Sequence, residues 1–147
     1  MPKSELYERD FHAWTQEQAG LLQSGNWGAL DCENIMEEIL SMGRGERREL
    51  VNHLVILMLH LLQWQYQPKR RGRSWRLIIK EQHNQVLDHM RDNPSLESQM
   101  PGVLEDAYRR CKIKIEKETG LAEQTFPLTC PWTFEHIMDE GFLPEQE

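Results

Sequence analysis

The sequence predicts an all-α protein, an antiparallel bundle of about five helices around one central hydrophobic helix, with a C-terminal strap of chain over the bundle. Three observations predict this fold. A proline-free run rich in leucine, methionine, arginine and glutamate extends from Glu46 to Gln67. Other segments carry apolar residues at helical spacing. Short turns join these segments without a domain linker, so we expect a single helical domain over residues 1–147.

The central helix has its apolar centre at LVILMLHLLQW, from Leu54 to Trp64. At 100° per residue, Asn52, His53, His60 and Gln63 fall within one arc of about 100°. Most of the remaining circumference is apolar, so other helices must surround this one. The run is too short and too polar along one side for a membrane span.

The elements before the central helix are amphipathic. We expect a first helix of about residues 8–23, ended by Gly25 in a left-handed cap. A second helix follows Asp31 as its N-cap and ends at Gly43, where a tight turn leads into the central helix. The second helix has an acidic outer face and an apolar inner face, the latter formed by Ile35, Met36, Ile39, Leu40 and Met42.

Prolines and glycines mark the elements after the central helix. Pro68 stops that helix, since proline removes a backbone donor and constrains the preceding residue. A fourth helix of about residues 75–92 follows, and a fifth extends from near Pro101 to Gly120. The tail contains one short helix of about residues 134–139 and forms the strap.

Charge and cysteine content restrict the class of protein. The net charge is −7, with a basic middle between acidic ends, which as a whole is not typical of a nucleic-acid binder. Cys32, Cys111 and Cys130 lack the CxxC spacing of a zinc site and are odd in number, which indicates reduced thiols. No signal peptide or membrane segment is evident, so we expect a cytoplasmic protein without membrane contact.

Several short signatures together resemble one known family. They are Tyr7, Asp10, Phe11, Ala13 and Trp14; DCENIMEEILSMGR from Asp31 to Arg44; HLLQWQYQP from His60 to Pro68; Ser74-Trp75; CPW from Cys130 to Trp132; and FLP from Phe142 to Pro144. The combination resembles a bacterial, mainly cyanobacterial, family known as domain of unknown function twenty-nine. The resemblance covers the whole chain and implies an all-helical, single-domain protein. It implies no activity and supplies no catalytic residues.

The first candidate site is a metal site of carboxylates and an imidazole. Glu33 and Glu37 lie four residues apart on one helix, as do Glu49 and His53 on the next, and a hairpin would bring the pairs together. The Glu-x-x-His spacing of known bundle metal sites is absent there. The favoured alternative is that the glutamates form ion pairs with arginines, and we therefore expect no stoichiometric metal and no cofactor; these arginines are Arg44, Arg47 and Arg48.

The second candidate is catalytic. Arg48 and His53 fit the loose Arg-x4–6-His pattern of helical ribonuclease toxins, in which histidine acts as acid or base and arginine stabilises the phosphate. Five residues rotate a helix by about 140°, so the two side chains do not naturally share a face. Chance occurrence is the favoured explanation.

The third candidate is the basic turn after the central helix, interleaved with Trp64, Tyr66 and Trp75. Such a mixture can hold phosphates and stack on bases, or can bind an acidic partner protein. The favoured alternative is a solvated loop that faces the chain's own acidic segments. The five residues concerned are Lys69, Arg70, Arg71, Arg73 and Arg76.

The sequence does not establish a function. We expect the protein to act by binding another protein or by self-association rather than by catalysis, with Trp27, Trp132 and the strap supplying apolar surface. Two alternatives stay open. One is a nucleic-acid-directed protein, either an RNA binder or a ribonuclease toxin of a toxin–antitoxin pair. The other is a metal-dependent enzyme that uses the carboxylate and histidine cluster.

Overall fold

The all-α prediction is confirmed. The computed structural model describes residues 3–144, with side chains from residue 5 onward, and this part of the chain contains no strand. None of its helices combines the length and the apolar content needed to cross a membrane. The α-helices are α1 (Lys3–Arg9), α2 (Phe11–Ser24), α3 (Cys32–Tyr66), α4 (Arg73–Asp92), α5 (Met100–Thr119) and α6 (Phe134–Met138).

The chain divides into two compact units, Met1–Gly45 and Glu46–Glu147. In the first unit, the predicted single helix of residues 8–23 is wrong at its start, because Asp10 separates α1 from α2. The Asp10 side chain accepts a hydrogen bond from the Ala13 backbone N–H at 3.0 Å and caps α2. The predicted C-terminal end is confirmed, since Gly25 has a φ of 74° in the left-handed region that glycine tolerates.

Hydrogen bonds of α1 and α2 with the start of α3 hold the first unit together. The buried indole of Trp14 donates to Oδ2 of Asp31 at 3.0 Å, directly before α3 begins. The Asp31 backbone N–H donates to Oε1 of Gln18 at 2.8 Å. The Tyr7 hydroxyl donates to the Glu38 carboxylate, and this hydrogen bond raises the pKa of Tyr7 to about 12. These contacts fix α1 and α2 on the first turns of α3.

The predicted turn at Gly43 is wrong, because α3 is one helix of 35 residues that passes through Gly43 and Gly45 without a break. Neither glycine has the positive φ of a helix cap. Each costs about 1 kcal/mol relative to alanine in a helix interior, and the good helix formers on both sides outweigh that cost. The predicted inner face is also wrong in the first unit, where four of its side chains are more than half exposed: Met36, Ile39, Leu40 and Met42.

The second unit is built around the C-terminal half of α3, as the sequence predicts. Ten apolar side chains of this half are buried: Leu50, Val51, Leu54, Val55, Leu57, Met58, Leu59, Leu61, Leu62 and Trp64. Apolar side chains of α4, α5 and the tail complete the same core. The helix is therefore encased by its neighbours, and its polar side is left for other contacts.

The tail forms the strap that the sequence predicts. The Tyr108 hydroxyl of α5 donates to the Pro127 carbonyl at 2.6 Å, and Nε2 of the buried His83 of α4 donates to the Ile137 carbonyl at 2.5 Å. Ile137 and Trp132 are both buried in this unit. The expectation that Trp132 supplies interaction surface is therefore wrong, because its ring is part of the core.

Candidate metal centre

Three side chains on two helices of the second unit converge at one point. They are Glu46 and Glu49 of α3 and His89 of α4, and one ligand atom from each lies within 4.8 Å of the others. Nε2 of His89 lies 3.5 Å from Oε2 of Glu46, and Nδ1 of His89 lies 3.8 Å from Oε2 of Glu49. Two carboxylates and one imidazole nitrogen gathered in this way are a ligand set for a divalent transition metal.

A backbone contact fixes the ring of His89. Nε2 lies 2.7 Å from the backbone carbonyl oxygen of Glu46, so this nitrogen carries the proton and donates it. Nδ1 is then free of a proton in the neutral ring, and its lone pair faces the carboxylate of Glu49. Metal-binding histidines are commonly oriented by a carbonyl that accepts from the second ring nitrogen. The His89 side chain is 8% exposed, so its position is well defined by packing.

His53 approaches the same carboxylate from the other side. Its Nδ1 lies 2.9 Å from Oε1 of Gln82, and its Nε2 lies 3.7 Å from Oε1 of Glu49. If Nδ1 donates to the Gln82 oxygen, the lone pair of Nε2 faces Glu49. The rings of His53 and His89 have their centroids 6.4 Å apart. The Glu49 carboxylate therefore lies between the imidazoles of His53 and His89. The second nitrogen of each ring is in hydrogen-bond contact with another group, the Gln82 side chain for His53 and the Glu46 carbonyl for His89.

The antiparallel register of α3 and α4 produces this cluster. Glu46 contacts His89, and His53, seven residues later on α3, contacts Gln82, seven residues earlier on α4. Seven residues are close to two helical turns, so both contacts lie on the facing sides of the two helices. Glu49 falls between them on the same face.

The cluster is open to solvent on its carboxylate side. The side chains of Glu46 and Glu49 are 50% and 57% exposed, whereas the two imidazoles are mostly buried. A metal held here by two carboxylates and an imidazole would keep further coordination positions for water, which is typical of catalytic rather than closed structural sites. Such an ion would make a bound water more acidic.

The structure brings together only part of the metal set predicted from sequence. Glu49 and His53 are neighbours, but Glu33 and Glu37 belong to the first unit, and the continuous α3 lacks the hairpin that was to join the pairs. Glu37 instead accepts a hydrogen bond from Arg44 at 2.8 Å, which is the kind of arginine pairing that the sequence favours.

The other predicted arginines and the basic turn have separate environments. Arg47 pairs with Asp106 of α5 at 2.9 Å, and Arg48 is exposed. The guanidinium groups of Arg71 and Arg76 lie 5.3 and 5.2 Å from the ring centroid of the buried Trp64. A catalytic role for Arg48 and His53 stays a hypothesis, as does phosphate or acidic-partner binding by the basic turn, where four residues are exposed: Lys69, Arg70, Arg73 and Arg76.

Sequence reasoning missed Glu46 and His89. Glu46 lies three residues before Glu49 on one helical face, a signal that was present in the spacing. His89 lies 40 residues further along the chain, on a different helix. Only the register between α3 and α4 brings it to Glu49, and sequence spacing carries no information about that register.

Fold and site together define an all-helical protein whose second unit carries a carboxylate and imidazole cluster at its surface. The chain belongs to the family described as Domain of unknown function DUF29, whose family model matches residues 6–143. No curated protein and no solved structure matches the chain. The function of this family is not known, so a function has to be argued from the site.

Proposed function

We propose that this protein binds one divalent transition-metal ion through Glu46, Glu49 and His89, with His53 as a neighbouring ligand or base. The observation that carries the proposal is the orientation of His89, whose Nε2 donates to a backbone carbonyl while Nδ1 faces the Glu49 carboxylate at 3.8 Å. This proposal departs from the expectation of no stoichiometric metal, which was based on pairing of Glu33, Glu37 and Glu49 with arginines.

The ligand chemistry favours zinc or manganese among the common divalent ions. Imidazole nitrogen suits zinc, copper, iron and nickel, whereas carboxylate oxygen suits manganese and magnesium, and a mixed set is common for zinc. The exposed side of the cluster leaves room for a bound water. The chemistry that such an ion supplies is activation of that water for attack on an ester or phosphodiester.

Titration calorimetry with ZnCl2 and MnCl2 on chelator-treated protein tests the proposal. We expect one ion per chain. Replacing Glu49 by glutamine keeps the shape of the side chain but removes the charge between the two imidazoles, and we expect at least about a tenfold loss of affinity. Glu81→Gln makes the same change at an exposed position of α4 and is the matched control, with affinity equal to that of the parent chain.

Two results would contradict the metal proposal. One is a parent chain that binds neither ion at millimolar concentration. The other is equal binding by the parent and the Glu49→Gln variant, which would mean that the ion binds elsewhere on the surface.

A second proposal concerns self-association through the first unit. Met36, Ile39, Leu40 and Met42 of α3 are between 52% and 70% exposed and follow the three- and four-residue spacing of one helical stripe. Contiguous exposed apolar surface of this kind marks interaction sites. Glu33 precedes the stripe and Arg44 follows it. In an antiparallel pair of two copies, the acidic end of each stripe would therefore lie opposite the basic end of the other.

Sedimentation equilibrium of the parent chain and of the Ile39→Glu variant tests self-association. We expect the parent to dimerise and the variant to be monomeric, since a buried unpaired carboxylate is costly. Leu77→Glu alters a side chain of α4 with 52% exposure and should leave the dimer intact. A monomeric parent chain at high micromolar concentration would rule out a second copy as the partner.

We also propose a cytoplasmic location. The free thiols of Cys32, Cys111 and Cys130 support it, because oxidising compartments favour disulfides. Detection of the native protein in a membrane-free cytoplasmic fraction is the expected result, and recovery only from a secreted fraction would refute it.

A further inference from the structure

A cleft of about 600 Å³ lies between α5 and the tail segment that follows it. Its walls are mainly apolar and include Leu104, Tyr108, Leu128 and Trp132. The volume is within the range of about 300–1,000 Å³ that is common for small-molecule sites. The cleft lies on different elements from the metal cluster of α3 and α4, so the two sites can be tested separately.

A buried lysine borders this cleft. Lys112 is 6% exposed, and its Nζ lies 4.9 Å from the ring centroid of Tyr108, which favours a cation. Nζ donates to the Leu128 carbonyl at 3.3 Å, and Oε1 of Glu123 lies 3.8 Å away, beyond hydrogen-bond distance. Lysine has three N–H donors, so these two long contacts leave donor capacity unused.

A buried cation needs close partners, because the loss of its hydration is unfavourable unless short hydrogen bonds replace the water. The contacts of Lys112 within the chain are long, and its carboxylate neighbour Glu123 is 43% exposed at the rim. An anionic group that entered the cleft would meet an ammonium that is itself buried. Electrostatic attraction to a buried charge is stronger than attraction to an exposed one.

We propose that the cleft binds a small organic carboxylate with a flat apolar body. The carboxylate would accept hydrogen bonds from Lys112, and the apolar body would lie against Tyr108, Leu104 and Trp132. The charged side chains that line the cleft are Lys112, Arg109, Glu105 and Glu123, and of these only Lys112 is buried. The buried charge that a ligand would meet is therefore positive, which disfavours a cationic ligand.

The first test uses the parent chain alone and two probes of the same shape. Titrations with 1-naphthoate and with neutral 1-naphthamide are followed by amide chemical shifts in nitrogen-15 NMR spectra. We expect 1-naphthoate to shift signals of α5 and of residues 123–132, and 1-naphthamide to bind at least about tenfold more weakly. Equal affinity for the two probes, or no binding of 1-naphthoate at millimolar concentration, would overturn the proposal.

The second test removes the cation. Lys112→Met keeps the aliphatic stem and removes the charge, and Lys114→Met makes the same change two residues later at an exposed position outside the cleft. We expect 1-naphthoate to bind Lys114→Met as it binds the parent and to bind Lys112→Met at least about tenfold more weakly. Unchanged binding to a folded Lys112→Met variant would overturn the proposal, and the comparison of the two probes on the parent does not depend on that variant.

Discussion

Nδ1 of His89 lies 3.8 Å from Oε2 of Glu49, and Nε2 of the same ring is committed to a backbone carbonyl at 2.7 Å. In the neutral ring, a nitrogen lone pair therefore faces a carboxylate oxygen, and both atoms are hydrogen-bond acceptors. Two acceptors facing each other are unfavourable unless a cation lies between them. A metal ion bound between Nδ1 and the carboxylate would satisfy this arrangement, and its binding can be tested.

Metal binding should raise the stability of the second unit. An ion that binds only the folded chain adds about 2.7 kcal/mol to the free energy of unfolding at a free concentration of 100 times its dissociation constant. Urea unfolding with and without ZnCl2 measures this increase. The Glu49→Gln variant should lose most of this zinc-dependent increase in stability, and the Glu81→Gln variant should keep all of it. An equal increase in all three proteins would indicate binding away from the cluster.

Replacing Leu61 by alanine should destabilise the second unit severely. The Leu61 side chain is fully buried on α3. Truncation of such a leucine lowers the free energy of unfolding by about 2–5 kcal/mol, because the lost transfer free energy and the cost of the cavity add. Leu77→Ala truncates the same residue type at a position with 52% exposure on α4 and should change stability by less than about 0.5 kcal/mol. Urea midpoints of the two variants measure the difference. Similar losses in both would mean that the C-terminal half of α3 is not the centre of the core.

The burial of α3 around Leu61 could be predicted because an apolar run longer than any ordinary strand has to be a surrounded helix. The continuity of α3 through Gly43 could not be predicted from the sequence. A glycine that caps a helix and a glycine inside a helix differ in φ, and glycine permits both conformations. The i, i+4 pair Glu49 and His53 was likewise readable from spacing. The position of His89 beside Glu49 could not be predicted from spacing. It depends on the register between α3 and α4, which is set by how their side chains pack.

The ion pair of Arg47 with Asp106 should make a pH-dependent contribution to stability. The Arg47 hydrogen bond is the largest cause that holds the pKa of Asp106 below its ordinary value of 3.8. A carboxylate with a lowered folded-state pKa stabilises the fold above its unfolded-state pKa, and this contribution disappears as pH falls through the folded-state pKa. Both side chains are 34% exposed, so solvent screening limits the effect to at most about 1 kcal/mol at neutral pH.

Urea unfolding of Asp106→Asn at several pH values measures this contribution. The variant should be less stable than the parent at pH 7. The difference between their free energies of unfolding should become smaller below pH 3.8, the ordinary pKa of this carboxyl group. Asp88→Asn removes a carboxylate from an exposed pair with Arg91 and serves as the control with no measurable loss. If Asp106→Asn lowers the free energy of unfolding by the same amount at all pH values, the loss of stability comes from altered packing and not from the lost charge.

The three thiols should differ in reactivity in the native protein. Cys32 is exposed, whereas burial raises the pKa of Cys111 to about 12 and also raises the pKa of Cys130. The thiolate is the reactive form, and near pH 8 a thiol with a pKa of about 12 is ionised in only about one molecule in 10⁴. Ellman's reagent should therefore modify one thiol per native chain rapidly and all three after unfolding in urea. Cys32→Ser should remove the rapid phase, and rapid reaction of two or more thiols in the native parent would show that the core around Cys111 opens readily.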